Sequence, residues 1–135
     1  MSDKMQRAAR LLLVEDEPLI RMIIVEILRD DGYEVSEASS SSEAVSHLTG
    51  DTQSFDAAIV DVGLPDRPGD VLVEEIRTKF PDLPIVMASG LDAVQLARRF
   101  SADARIRVVA KPYSEAALYH ALAELGIAVP GGGPG

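Results

Sequence analysis

Five short apolar runs, each followed by a segment of helical period, leave this 135-residue chain few ways to fold. Leu11 to Val14 reads as a strand, and Leu19, Ile20, Ile23, Ile24, Ile27 and Leu28 then recur on one helical face, with Pro18 suited to the first turn. Asp30, Asp31 and Gly32 stop that helix. Tyr33 to Ala38 alternates polar and apolar as a half-exposed strand does, and "SSSSEAVSHL" offers serine caps for a short helix with Ala44, Val45 and Leu48 inward. Phe55 to Val60 reads as the third strand and Gly69 to Phe80 as the third helix, through Val71, Leu72, Ile76 and Phe80. Ile85 to Ala88, Asp92 to Phe100, Arg105 to Ala110 and a helix marked by Leu118, Ala121, Leu122 and Leu125 complete the alternation.

Five β-then-α units require parallel strands joined by right-handed crossovers. Runs one, three and four are continuously apolar, as strands covered on both faces are, whereas runs two and five carry alternating charge and belong at the edges. That pattern predicts the order 2-1-3-4-5, an α/β flavodoxin-like doubly wound five-stranded parallel sheet with five helices. Residues 1–8 read as an N-terminal extension, 9–126 as one domain and 127–135, "IAVPGGGPG", as a flexible Gly/Pro tail.

Charge and composition remove several function classes. With 13 Lys+Arg against 22 Asp+Glu the formal charge is −9, which repels phosphate backbones, so direct nucleic-acid binding is not expected. The absence of cysteine removes disulfides, thiolate metal sites and thiol nucleophiles together and suits a reducing compartment. No apolar stretch approaches membrane-spanning length, and Glu15 to Glu17 interrupt the N-terminal one, so a cytoplasmic protein without a membrane partner is expected.

In such a sheet ligands bind at the carboxyl ends of the strands. Strand one ends at Glu15 and Asp16, strand three at Asp61, strand four at Ser89 and strand five at Lys111. Acids from neighbouring strands then lie within repulsive range unless a cation or a proton relieves them. Oxygen-only ligands with no His or Cys nearby in sequence suit Mg²⁺, held by one or two carboxylates plus waters and phosphate oxygens.

"LLLVEDEP", "AAIVDVGLPD", "PIVMASG" and "AKPY", each closing an expected strand in order, make residues 9 to 126 resemble the receiver domain of two-component response regulators. A chemotaxis receiver is itself a standing example of the 2-1-3-4-5 order, so fold and resemblance are not independent. The resemblance implies that Asp61 takes a phosphoryl group from the phosphohistidine of a histidine kinase or phosphotransfer protein. It implies Mg²⁺ bound by Asp16, Asp61 and the backbone carbonyl of Gly63, with Glu15 acting through water. It gives Lys111 the role of neutralising the transferring oxygens and Ser89 that of hydrogen-bonding one of them, while Gly90 leaves room at the pocket mouth. It also implies a cis Pro112 and a downstream protein target on the face of helix four, strand five and helix five.

Other polar residues have plainer readings. Glu17 is a helix-start acid, Asp66 and Asp70 serve turn and cap chemistry in "LPDRPGD", and Asp56 is an exposed residue before its strand. His47 and His120 lack a carboxylate pattern, and Arg98 and Arg99 form a solvated helix face. Two departures from the family stand out: Val108 occupies the position, three before Lys111, where most receivers carry an aromatic, and Gly63 offers no side chain to an attacking water. With no further module after the fifth helix, a single-domain response regulator without turnover activity is expected. The alternatives are a receiver-fold binding module that works without phosphorylation and an aspartate-nucleophile phosphatase, whose D-x-D pattern after the first strand "EDE" does not supply.

Overall fold

The three continuously apolar runs form the centre of the sheet in the computed structural model, which describes residues 8–50, 54–90 and 92–129. The strands are β1 (Arg10–Val14), β2 (Glu34–Ala38), β3 (Ala57–Asp61), β4 (Ile85–Ser89) and β5 (Ile106–Ala110). All neighbours are parallel and the order is β2-β1-β3-β4-β5, as the charge pattern predicts. Every residue of β3 and β4 is buried, whereas the edge strands β2 and β5 keep partly exposed positions. The helices are α1 (Pro18–Asp30), α2 (Ser41–Gly50), α3 (Gly69–Lys79), α4 (Ala93–Arg99) and α5 (Glu115–Glu124).

Alternation along the central strands splits the core into two layers. Leu12, Val14, Ala58, Val60, Ile85 and Met87 meet Ala44 of α2, Leu72 and Ile76 of α3 and Leu96 of α4. Leu11, Leu13, Ile59, Val86 and Ala88 meet Ile24 and Leu28 of α1 and Leu118 and Leu122 of α5 on the opposite face. Gly32, with φ 99°, takes the left-handed conformation that ends α1, and Gly126, with φ 90°, does the same after α5.

Four local expectations need correcting. Only part of the α1 stripe points inward: Ile24, Val25 and Leu28 are buried, but Leu19, Ile20 and Ile23 are exposed together with Met22, so the first turns of α1 are not covered by the core. Asp56 is half-buried, and its Oδ2 accepts a 2.7 Å bond from the Arg10 backbone N–H, tying the start of β1 to the segment before β3. His120 does have a carboxylate partner, Glu124 Oε2 at 3.3 Å one helical turn on. Ile127, the first residue of the expected tail, packs against the α1/α5 layer and donates its N–H to Leu122 O at 2.9 Å. Residues 1–7 of the expected extension and 130–135 of the tail lie outside the described residues.

Asp66 has the capping role read from its loop, but it caps a different helix. Its carboxylate accepts the backbone N–H of Ser41 (2.9 Å) and of Ser42 (3.1 Å) at the start of α2, and also the Ser42 hydroxyl. The Ser41 N–H holds the Asp66 carboxyl down at about 2, below the ordinary aspartate value of 3.8. A depressed acid contributes stability above its ordinary value and loses it as pH falls through the folded value. Asp66→Ala is therefore expected to lower the urea midpoint at neutral pH, and the gap from wild type should close as pH falls from 3.8 toward about 2. A gap that does not change with pH would contradict this account.

Candidate functional site

Because all five strands run the same way, the residues that end β1, β3, β4 and β5 share one rim of the sheet. Asp61, the last residue of β3, is 5% exposed, and Glu15, just past β1, is 2% exposed. Asp16 beside it is half-buried. Carboxylate oxygens of Glu15, Asp16 and Asp61 all lie within 4.8 Å of one another. At an effective dielectric near 20, each ionised pair at that separation repels by about 3 kcal/mol before solvent screening.

One ammonium answers three acids. Lys111 Nζ lies 3.0 Å from Asp61 Oδ1 and 3.8 Å from Glu15 Oε1. Burial disfavours the Lys111 charge, but its hydrogen bond to Asp61 and the charges of Asp61, Glu15 and Asp16 outweigh that and raise its pKa. Glu15 is raised chiefly by burial, with the Asp61 charge adding to it. The backbone sets the lysine in place: Lys111 N–H donates to Ser89 O at 2.7 Å, and the Lys111–Pro112 bond is cis, as the family resemblance implies.

Asp61 is fixed from below by glycine. A Cβ on Gly69, the first residue of α3, would sit 2.4 Å from the Asp61 carbonyl oxygen and 2.6 Å from Val62 Cα. The Gly69 N–H also donates to Val62 O at 2.7 Å, so α3 begins against the backbone of the acid. Above it, the Gly63 N–H donates to Asp61 Oδ1 at 3.3 Å, and a Cβ on Gly63 would meet nothing within 4 Å. The same open space surrounds Gly90, so the room at the pocket mouth does not depend on glycine there.

A cleft of about 480 Å³ joins Asp16, Asp61, Gly63, Ser89 and Lys111, and it is also lined by Glu17 and Asp92. Glu15 lies behind it in the acid cluster. The structure thus gathers every residue singled out at the strand ends. Glu17, read only as a helix-start acid, makes no side-chain cap bond and faces the cleft instead. Asp92 was read as nothing more than a helix start, yet its Oδ1 accepts the hydroxyl of buried Ser89. Its spacing of three residues from that serine was the one available signal. Oxygen donors alone, with more negative than positive charge, suit a hard divalent cation.

Gly69→Ala is expected to cost about 1–3 kcal/mol in urea unfolding, as an overpacking substitution does. It should also shift the backbone amide resonances of Asp61 and Val62. Unchanged stability and unchanged resonances would mean that α3 can slide without disturbing the acid.

A sequence profile described as the response regulator receiver domain matches residues 11–123. The sensor kinase CckA of Brucella abortus is 36% identical over 107 residues, covering 79% of this chain and 11% of that protein. The transcriptional regulatory protein PdtaR of Mycobacterium tuberculosis is 37% identical over 106 residues, covering 78% of this chain and 50% of that protein. The chain thus matches half or less of the length of these relatives. Among solved structures, the response regulator TrrA of Thermotoga maritima, in complex with Mg²⁺ and BeF, superposes with a TM-score of 0.74 at 28% identity, covering 87% of this chain and 98% of that one.

Proposed function

The chain belongs to the response regulator receiver family, whose members are phosphoryl-accepting signalling domains, and on that premise we propose that Asp61 is its phosphoacceptor and that the reaction depends on Mg²⁺. The observation that carries this reading is the convergence of Asp61, Lys111, Glu15 and Asp16 on one rim. Both hydrogen bonds to Asp61, from Lys111 Nζ and the Gly63 N–H, go to Oδ1, which leaves Oδ2 as the attacking oxygen. Oδ2 forms a bond to phosphorus while the bond from phosphorus to the donor's imidazole nitrogen breaks, and the imidazole keeps the electron pair. Lys111 offsets charge on the transferring oxygens, and Ser89 can give its hydroxyl to one of them. Glu15, Asp16, Asp61 and the Gly63 carbonyl would hold Mg²⁺, which supplies positive charge that a lone lysine cannot.

Histidine kinases and phosphotransfer proteins are the partners of receiver domains. We assign the donor's landing surface to α1: Leu19, Ile20, Met22 and Ile23 are exposed, and a groove of about 250 Å³ runs from Ile20 and Ile23 to Lys111, Pro112 and Leu118. An apolar surface touching the reacting lysine fits a protein that must deliver a phosphoryl group to that spot. The downstream target would read α4, β5 and α5, and the module would not turn over a substrate.

Intact mass after treatment with a small acyl phosphate is expected to show one phosphoryl adduct that needs Mg²⁺ and is absent from Asp61→Asn. No adduct, where a control receiver is modified, would leave only a binding module that works without phosphorylation. Leu19→Glu with Ile23→Glu should leave adduct formation from acyl phosphate unchanged. The same pair should slow transfer from a phosphohistidine domain that loads the wild type by about tenfold or more, as loss of a central apolar contact does. Equal transfer rates would place the donor elsewhere.

A further inference from the structure

Asp92 lines the cleft without serving charge neutralisation or metal binding. Ser89 is 1% exposed, and its hydroxyl donates to Asp92 Oδ1 rather than pointing freely toward Asp61. We propose that Asp92 is a positioning residue: it holds the Ser89 hydroxyl until Asp61 is phosphorylated, then surrenders it and caps α4, moving that helix. The inference rests on the reading of Asp61 as phosphoacceptor.

A serine hydroxyl has a single hydrogen to donate, and an ionised carboxylate can only accept. A phosphoryl oxygen on Asp61 and the Asp92 carboxylate therefore compete for the same hydrogen. The new dianion also repels Asp92, which lines the same cleft as Asp61. Both effects drive the Asp92 side chain out of the cleft.

The freed carboxylate has a destination on its own helix. Asp92 is the N-cap of α4, but with φ −105° and ψ 23° it is not in the extended conformation of a working cap, and its side chain makes no cap bond. Asp92 thus gives the first-turn N–H groups of α4 no side-chain acceptor. Helix α5 shows the satisfied arrangement in the same molecule: Ser114 at φ −86° and ψ 164° accepts the Ala117 N–H through its side chain at 3.0 Å. Turning Asp92 to that conformation would give α4 the same cap.

Helix α4 is built to respond. It is seven residues long and Leu96 is its one buried side chain. Its far end is held to α3, where Arg99 meets Asp70 at 2.6 Å and also pairs with Glu74. A helix anchored at its last turn and released at its first pivots, carrying Val94, which is 67% exposed at the free end. This route needs no ring at position 108, where the chain has a half-buried valine.

The test compares wild type, Asp92→Ala and Asp92→Asn, following adduct mass with acyl phosphate and Mg²⁺ and the amide resonances of Val94, Gln95 and Leu96. Removing the competitor should speed Asp92→Ala adduct formation by about threefold to tenfold, the worth of one hydrogen bond. It should also abolish most of the phosphorylation-dependent shift of the three amides. Asp92→Asn keeps an acceptor oxygen and is expected to restore most of that shift. Adducts forming at equal rates with equal α4 shifts in wild type and Asp92→Ala would overturn the role of Asp92 and leave the phosphoacceptor reading intact. Absence of an adduct on all three would overturn that reading and this inference with it.

Discussion

Three acids are held within 4.8 Å of one another beside a single lysine, an arrangement whose repulsion only a rigid support can sustain. That support is the apolar sheet beneath. Leu11 to Val14, Ala57 to Val60 and Ile85 to Ala88 are all 2% exposed or less, so the strands that carry Glu15, Asp16, Asp61 and Ser89 cannot shift without opening the core. Losing one large buried side chain from such a core costs about 2–5 kcal/mol, comparable to the charge repulsion at the rim. The sheet therefore stores the repulsion instead of relaxing it. Gly69 adds a second restraint, since α3 presses directly on the Asp61 carbonyl.

The same charge imbalance explains why the site calls for more positive charge than Lys111 supplies. Lys111 reaches Asp61 and Glu15, and burial raises the Glu15 pKa above its ordinary value. A phosphoryl group on Asp61 would bring further negative charge into a cleft already bordered by Glu17 and Asp92. Cation and phosphoryl group are thus complementary demands on one electrostatic deficit.

Much of this was legible in the residues. The continuous apolarity of runs one, three and four set the strand order, and the polar residues after each run marked the rim. Reading failed where a contact joins elements distant in sequence. The α1 stripe reads as wholly inward because a periodic pattern does not register which turns of a helix the core covers, and Leu19 and Ile23 are exposed instead. Asp66 was assigned to its own loop, although its acceptors' partners are the N–H groups of Ser41 and Ser42, 25 and 24 residues earlier. Arg99 was read as solvated because nothing local reveals Asp70 and Glu74 across the helix pair. Asp92 was passed over because a carboxylate at a helix start ordinarily spends itself on that helix.

The exposed apolar turns of α1 belong to the layer it shares with α5, whereas α4 packs on the opposite face of the sheet. A donor seated on α1 therefore leaves α4 uncovered, and a listener on α4 leaves the α1 groove open. The two proposed surfaces meet at α5, whose Glu115 and Leu118 line the α1 groove, so a donor and a listener that both reach α5 would compete there. A listener confined to α4 would escape that competition, whereas one that reaches α5 would wait for the donor to leave.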